Sequence, residues 1–183
     1  GTPKGRPHLE RMIAGLKHPA AGVPKSEIFL QRCFAAEKIV LGWNKGEEII
    51  ARAGRIFVRG IDSIFTDRQF KAPSQKTPAT TLKVYELIRG GTFMDVYKSL
   101  DCPLEQACLT QAQIIMFCKE HWDKLCGCGY GTFFLFRAGD DFFVACIEKD
   151  LDDRLGVHAR SVSFDTIWDA SSRHRFVVPQ LES

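Results

Sequence analysis

The stretch that most limits what this chain can fold into is TFFLFRAGDDFFVACIE, residues 132–148. Two apolar runs of strand length, 132–137 and 142–148, flank Ala138-Gly139-Asp140-Asp141. Small and acidic turn residues between two β-rich runs spell a hairpin. Further on, Asp152-Asp153 marks another turn. Residues 154–162 then alternate Leu155, Val157 and Ala159 against Gly156, His158 and Arg160, the period-two pattern of a half-buried strand. Residues 165–170 read as a short connection, and 173–178, closed by Pro179, as a last strand. The C-terminal part must therefore contain an antiparallel sheet of three or four strands.

Upstream the period changes. Over 110–125, Ile114, Phe117, Cys118, Trp122 and Leu125 make a helical stripe. Thr110 and Gln113 have the spacing of a capping box, with Leu109 and Ile114 placed as its hydrophobic staple. Thr92 caps a short helix running to Leu100. Thr80 or Thr81 opens another over 81–89, with Leu82, Tyr85 and Leu87/Ile88 on its apolar face and Gly90-Gly91 at its end. KAPSQKTPA (71–79) reads as a linker. Before it, Ile49, Ala53, Ile56/Phe57, Ile61 and Ile64/Phe65 recur at three and four, a helical stripe broken near Gly60. SEIFLQRCFAAEKIVLGW, from Ser26, fits helical spacing in part through Ile28, Phe29, Cys33, Phe34 and Ile39. Residues 1–25 hold four prolines and four glycines and read as a basic arm with one short helix over 9–16. The expected class is α+β: a helical N-terminal part packed on a C-terminal helix plus a three- or four-stranded antiparallel sheet. The expected division is an arm (1–25), a helical part (26–72) and an α+β domain (80–183), with one continuous domain over 26–183 as the alternative.

GIDSIF (60–65), TLKVYELI (81–88), TFMDVYKSL (92–100), CLTQAQI (108–114), GYGTFFLF (129–136), DFFVA (141–145), IWDA (167–170) and RHRFVVPQL (173–181) resemble a family of uncharacterised bacterial proteins found in small-genome organisms. The resemblance covers 45–181 and is most specific over the C-terminal elements. It implies no activity, since none is assigned to that family. It also implies that the Cys-Gly-Cys element, Cys126 and Cys128, is peculiar to this chain.

Charge is unevenly spread. Residues 1–100 hold 17 Lys/Arg against 9 Asp/Glu, and 101–183 hold 8 against 13. A basic half permits a nucleic-acid or protein partner, and equally an attraction between the two halves. No apolar run is long enough to span a bilayer, so no membrane partner is expected. The seven cysteines are an odd number without a spaced framework, which predicts reduced thiols and a soluble, cytoplasmic protein. Cys33, Cys102, Cys108 and Cys146 have apolar neighbours and read as small core residues.

Three constellations could carry chemistry. Cys118, His121, Cys126 and Cys128 give C-x2-H-x4-C-x-C, four soft ligands at the end of a helix, and zinc is the one cofactor they suggest. The simpler alternative is a buried Cys118, a surface His121 and a glycine-rich helix exit. C-x-C is not the spacing of a dithiol redox site, and a thiol nucleophile, Cys118 or Cys126 with His121, His158 or His174, finds no local signature of a known cysteine hydrolase here. In the sheet, His158, Arg160, Arg173 and Arg175, with Phe134 or Phe136, could form an outer face that binds a phosphate or single-stranded nucleic acid. The plainer alternative pairs that face with Asp140, Asp141 and Glu148. The acidic run Glu148, Asp150, Asp152, Asp153 lacks the ligand spacing of a calcium loop and reads as a solvated turn. Glycine-rich nucleotide loops and the common hydrolase motifs are missing, so no catalytic residue is assigned. The function expected is a non-enzymatic binding or interaction module. A nucleic-acid-associated protein using the basic N-terminal half and a zinc-binding protein are the alternatives.

Overall fold

The computed structural model describes residues 28–127 and 129–181. The hairpin lies at the centre, as its sequence demands. β5 (Gly131–Ala138) and β6 (Asp141–Lys149) pair in antiparallel register from Gly131↔Glu148 to Ala138↔Asp141. Gly139 turns the corner at φ 63°, a left-handed conformation that glycine adopts without a Cβ penalty. β7 (Leu155–Ser161) adds antiparallel to β6, and its Leu155, Val157 and Ala159 face the core.

The rest departs from the expected class. The described residues form eight strands in one mixed sheet, not three or four antiparallel ones behind a helical N-terminal part. TLKVYELI is a strand rather than a helix: β4 (Thr80–Leu87). On one edge of β4 lie β1 (Leu30–Cys33) and β2 (Ile39–Leu41), both antiparallel to it. Cys33 pairs with Val84 and Ile39 with Leu82, so residues 34–38 loop out of what is otherwise one interrupted strand. On its other edge β4 pairs with β8 (Arg175–Pro179), which lies parallel to β5 on its far side. At the opposite end β3 (Gly60–Ile61) adds two residues parallel to β7. The expected helical stripe over 49–65 is instead a chain of 3-10 turns at Ile50–Arg52 and Ser63–Thr66 around β3. Its apolar residues Ile49, Ile50, Phe57 and Phe65 are buried all the same.

Among the described residues three α-helices join the sheet: α1 (Phe93–Lys98), α2 (Leu104–Ala107) and α3 (Gln111–Glu120). α1 and α3 each open with a full capping box, Thr92–Asp95 and Thr110–Gln113, in which side chain and backbone satisfy each other's donors. The sheet is covered on both faces. α3, Leu125 and the 3-10 segment cover Phe134, Phe136, Ala145, Ile147, Val157 and Val177. α1, α2 and Trp168 cover Phe133, Leu135, Val144, Phe176 and Val178. Phe93 stacks edge-on to Phe133 with ring centres 5.0 Å apart, and Tyr97 to Phe176 at 5.6 Å. Burying each such ring contributes about 1.5–3 kcal/mol.

Polar side chains hold the covering layer in place. Buried Gln111 accepts from Ile50 N (3.0 Å) and donates to Phe70 O (2.9 Å), which fastens the 3-10 segment to α3. The expected linker is held too: Asn44 and Thr77 exchange backbone hydrogen bonds at 3.0 and 2.9 Å. Gly46 (φ 78°) lies so close to this segment that a Cβ would run into the carbonyls of Ser74 and Gln75. Among the described residues no helix is long and apolar enough to cross a membrane.

Candidate functional site

The period-two reading of β7 puts His158 and Arg160 on the face opposite Leu155, Val157 and Ala159. That face is less covered near β3. The parallel pairing Gly60↔Gly156 and Ile61↔Val157 brings Arg59 and Asp62 to the same place from almost a hundred residues upstream. The result is a group of five charged or titratable side chains. His158 Nδ1 lies 3.8 Å from Asp62 Oδ2, and His158 Nε2 lies 3.8 Å from Glu148 Oε2. Each carboxylate has its own arginine. Arg59 Nη1 donates to Glu148 Oε2 at 2.8 Å, and Arg160 Nη1 stands 3.6 Å from Asp62 Oδ2.

Local structure fixes each member. Asp62 Oδ1 accepts from Ile64 N at 3.2 Å and caps the following 3-10 turn, which leaves Oδ2 toward His158. The stem of Arg59 lies across Gly156, where a Cβ would stand 3.5–3.7 Å from its methylenes. Arg160 lies over the ring of Phe164 at 5.8 Å. The imidazole is 44% exposed, against 32% for Glu148 and 22% for Asp62, so the group is open to a ligand without being fully solvated. A cavity of about 280 Å³ is lined by Arg59, Gly60, Ile61, Asp62, Gly156 and His158.

A single metal ion cannot take all three ligands. The two ring nitrogens point away from each other, one to each carboxylate, whereas shared ligation needs about 2.0–2.2 Å from one centre. The gaps of 3.8 Å are too long for direct hydrogen bonds and suit a polar atom set between the two groups.

The other two residues expected on this face lie elsewhere. Arg173 donates to Glu86 Oε1 at 2.9 Å and is 73% exposed. Arg175 faces the α3 side of the sheet. Its Nη1 donates to the carbonyls of Lys124 (2.7 Å) and Leu125 (2.9 Å), and its guanidinium stands 5.2 Å from the centre of the Phe34 ring. It clamps the exit of α3 to the 34–38 excursion. Phe134 and Phe136, the aromatics expected to join these residues, are fully buried.

The described members of the Cys/His stretch each have partners of their own. Cys118 is in the core, where burial raises its thiol pKa far above the ordinary value. His121 directs Nε2 to Val40 O at 3.3 Å and packs its ring near Phe117. Cys126 is buried, with Sγ 3.5 Å from Arg173 O and its N–H donating to Thr132 Oγ1 at 2.7 Å. Cys128 lies outside the described residues, as does the basic arm of 1–25. Among the described residues no group of three or more His, Cys, Asp or Glu is arranged to hold a metal ion. His174 accepts from Gly131 N at 3.0 Å through Nδ1, inside a box of Tyr130, Phe133 and Trp168. That bond commits the nitrogen a thiol would need as its base. The acidic run is a turn: Asp150 accepts from Arg154 N and Asp152 N, and these bonds hold its carboxyl below the usual range.

A larger cavity of about 540 Å³ opens where residues 69–75 meet the start of α3 and the β5–β6 turn. The cationic group in its wall, Arg137, is committed to Gly139 O and Asp140 at 3.0 Å each. Arg59 and Asp62 are the members of the His158 cluster that the sequence did not suggest. The only local mark was the glycine before Ile61-Asp62, which breaks the apolar stripe at the point where β3 begins. Compared with family models, curated proteins and solved structures, the chain matches none of them.

Proposed function

We propose that the chain is a non-enzymatic binding module and that the cleft around His158 is its ligand site. The carrying observation is an open imidazole midway between two carboxylates, each braced by an arginine, beside a cavity of about 280 Å³. A few convergent polar groups fix the orientation of a ligand in a concavity, and at about 280 Å³ this one lies just below the usual size of a small-molecule site and is more polar than most. The thiols support binding over nucleophilic chemistry. Burial pushes Cys108 and Cys146 up to about 12, far from the thiolate a nucleophile needs. Cysteines used as core residues, Cys118 and Cys146 among them, suit a reducing compartment and so a cytoplasmic protein.

The test is incubation with a metabolite mixture, followed by mass spectrometry of bound and free fractions. A compound retained unchanged by the parent protein and lost by His158→Ala is the expected result. A compound consumed with appearance of a product, in the parent and not in that variant, overturns the non-enzymatic reading.

A further inference from the structure

We infer that the His158 cleft takes a small, uncharged, hydroxyl-rich ligand, of the kind of a monosaccharide or a related polyol. This rests on the binding reading above and adds the chemical class. It starts from charge. Arg59 answers Glu148 and Arg160 answers Asp62, so the two acids and two guanidiniums balance before any ligand arrives. An anion would have to draw an arginine off its carboxylate or lie against that carboxylate. A cation would meet the reverse problem. Like charges brought together in this way reject a partner as firmly as good contacts select one.

A hydroxyl faces no such conflict. It donates one hydrogen bond and accepts up to two, so it fits wherever a donor and an acceptor stand side by side. Arg59 and Asp62 line the cavity, and each brings that pairing to its wall through its partner, Glu148 and Arg160, with Arg160 Nη1 also donating to Ala159 O at 3.1 Å. The cleft offers it a third time at His158. Whichever ring nitrogen carries the hydrogen stands 3.8 Å from a carboxylate oxygen. A hydroxyl oxygen seated about 2.8 Å from both atoms accepts from the ring and donates to the carboxylate. The other ring nitrogen and its carboxylate are two acceptors, a place for a two-donor group such as water or an amide. The donors and acceptors are planar groups spread over neighbouring strands, so they can meet hydroxyls on successive carbons. Gly60 leaves its part of the floor open, and Gly156 lets the stem of Arg59 lie flat across the rest. A cavity of about 280 Å³ has room for one small ring or short chain.

The experiment follows the His158 ring signals by NMR in the full chain, with two sets of probes. The neutral set is glucose, galactose, inositol and glycerol. The charged set is inorganic phosphate, lysine and adenosine monophosphate. At least one neutral probe should shift the His158 signals saturably. That binding should change less than twofold between 50 and 500 mM salt, because no net charge is being matched. It should weaken at least tenfold in Glu148→Gln and in Asp62→Asn, the latter keeping the oxygen that caps Ile64. Amide spectra of the variants report whether the sheet is intact. Saturable shifts from a charged probe alone overturn the ligand class and leave the binding reading standing. No response at His158 to either set overturns both.

Discussion

Arg175 offers a sharp test of the structure, because its two readings predict opposite outcomes. On an outer binding face it would be replaceable at little cost to stability. In the structure it is a clamp: one amino group donates to the carbonyls of Lys124 and Leu125 at 2.7 and 2.9 Å, and the guanidinium covers Phe34. A hydrogen bond from a charged donor is worth about 1.5–3 kcal/mol, and because one nitrogen serves both carbonyls the pair contributes about 3 kcal/mol together. The contact with Phe34 adds about 0.5–1 kcal/mol. Against this, Arg175 Nε is buried with no protein partner, which costs about 1 kcal/mol and is recovered when the guanidinium is removed. Arg175→Met, which keeps the length and apolar stem, should therefore lose about 2–3 kcal/mol. For a chain of this size that lowers Tm by about 5–10 °C. Urea unfolding is the assay, with the slope m expected to stay constant so that the midpoint alone reports stability. Arg175→Lys should recover only part of the loss, since the ammonium keeps the charge but gives up the planar group that lies against Phe34. A methionine variant within about 0.5 kcal/mol of the parent, or a lysine variant equal to it, would refute the clamp.

Other predictions concern the core and its titrating groups. The Tyr97 hydroxyl is fully buried without a protein partner, so Tyr97→Phe should hold or raise the urea midpoint, and a loss above about 1 kcal/mol would contradict the packing described. Burial lowers the His174 pKa below its ordinary value near 6.5, so folding favours the neutral ring. Stability should then be intact above pH 6.5 and fall as pH drops through that value toward the lowered one. In His174→Phe that fall should be smaller in a midpoint-versus-pH series. Native-state labelling with a thiol reagent at pH 8 should leave Cys118 and Cys146 unmodified until denaturant is added, with Cys33 and Cys102 reacting before them; rapid native labelling of Cys118 would place it outside the core.

What the sequence disclosed depended on whether a signal was local. Thr110–Gln113 and Thr92 are capping residues whose partners lie three positions away, and both helix starts appear where expected. The β5–β6 turn and the alternation of Leu155, Val157 and Ala159 were legible for the same reason. β4 was not. Leu82 and Val84 pack on one face of the sheet while Tyr85 and Leu87 pack on the other, so a central strand buried on both sides shows no period-two pattern. Its apolar residues then mimic a helical stripe. The edge strand was hidden differently: the five-residue excursion between Cys33 and Ile39 shifts the spacing, and Phe34 adopts φ 52° at its start. The 3-10 turns near Ile50 and Phe65 repeat close to every three residues, near enough to α-helical spacing to pass for it. The site divided along the same line. His158 and Arg160 were readable as outward residues of one strand, whereas Arg59 and Asp62 join them only through the parallel β3–β7 pairing, which no short-range pattern records.

The sheet order also has a consequence for how the chain comes into being. β8 stands between β4 and β5, yet of the described strands it leaves the ribosome after all the others. Until residues 175–179 emerge, the strands before it make two separate half-sheets, each with an unpaired apolar edge. Such edges recruit neighbouring strands, from the same chain or another. Removing five residues from this position would not trim the protein at its margin. It would take out the seam that joins two halves, and the released edges of β4 and β5 would be sites for aggregation rather than a smaller fold.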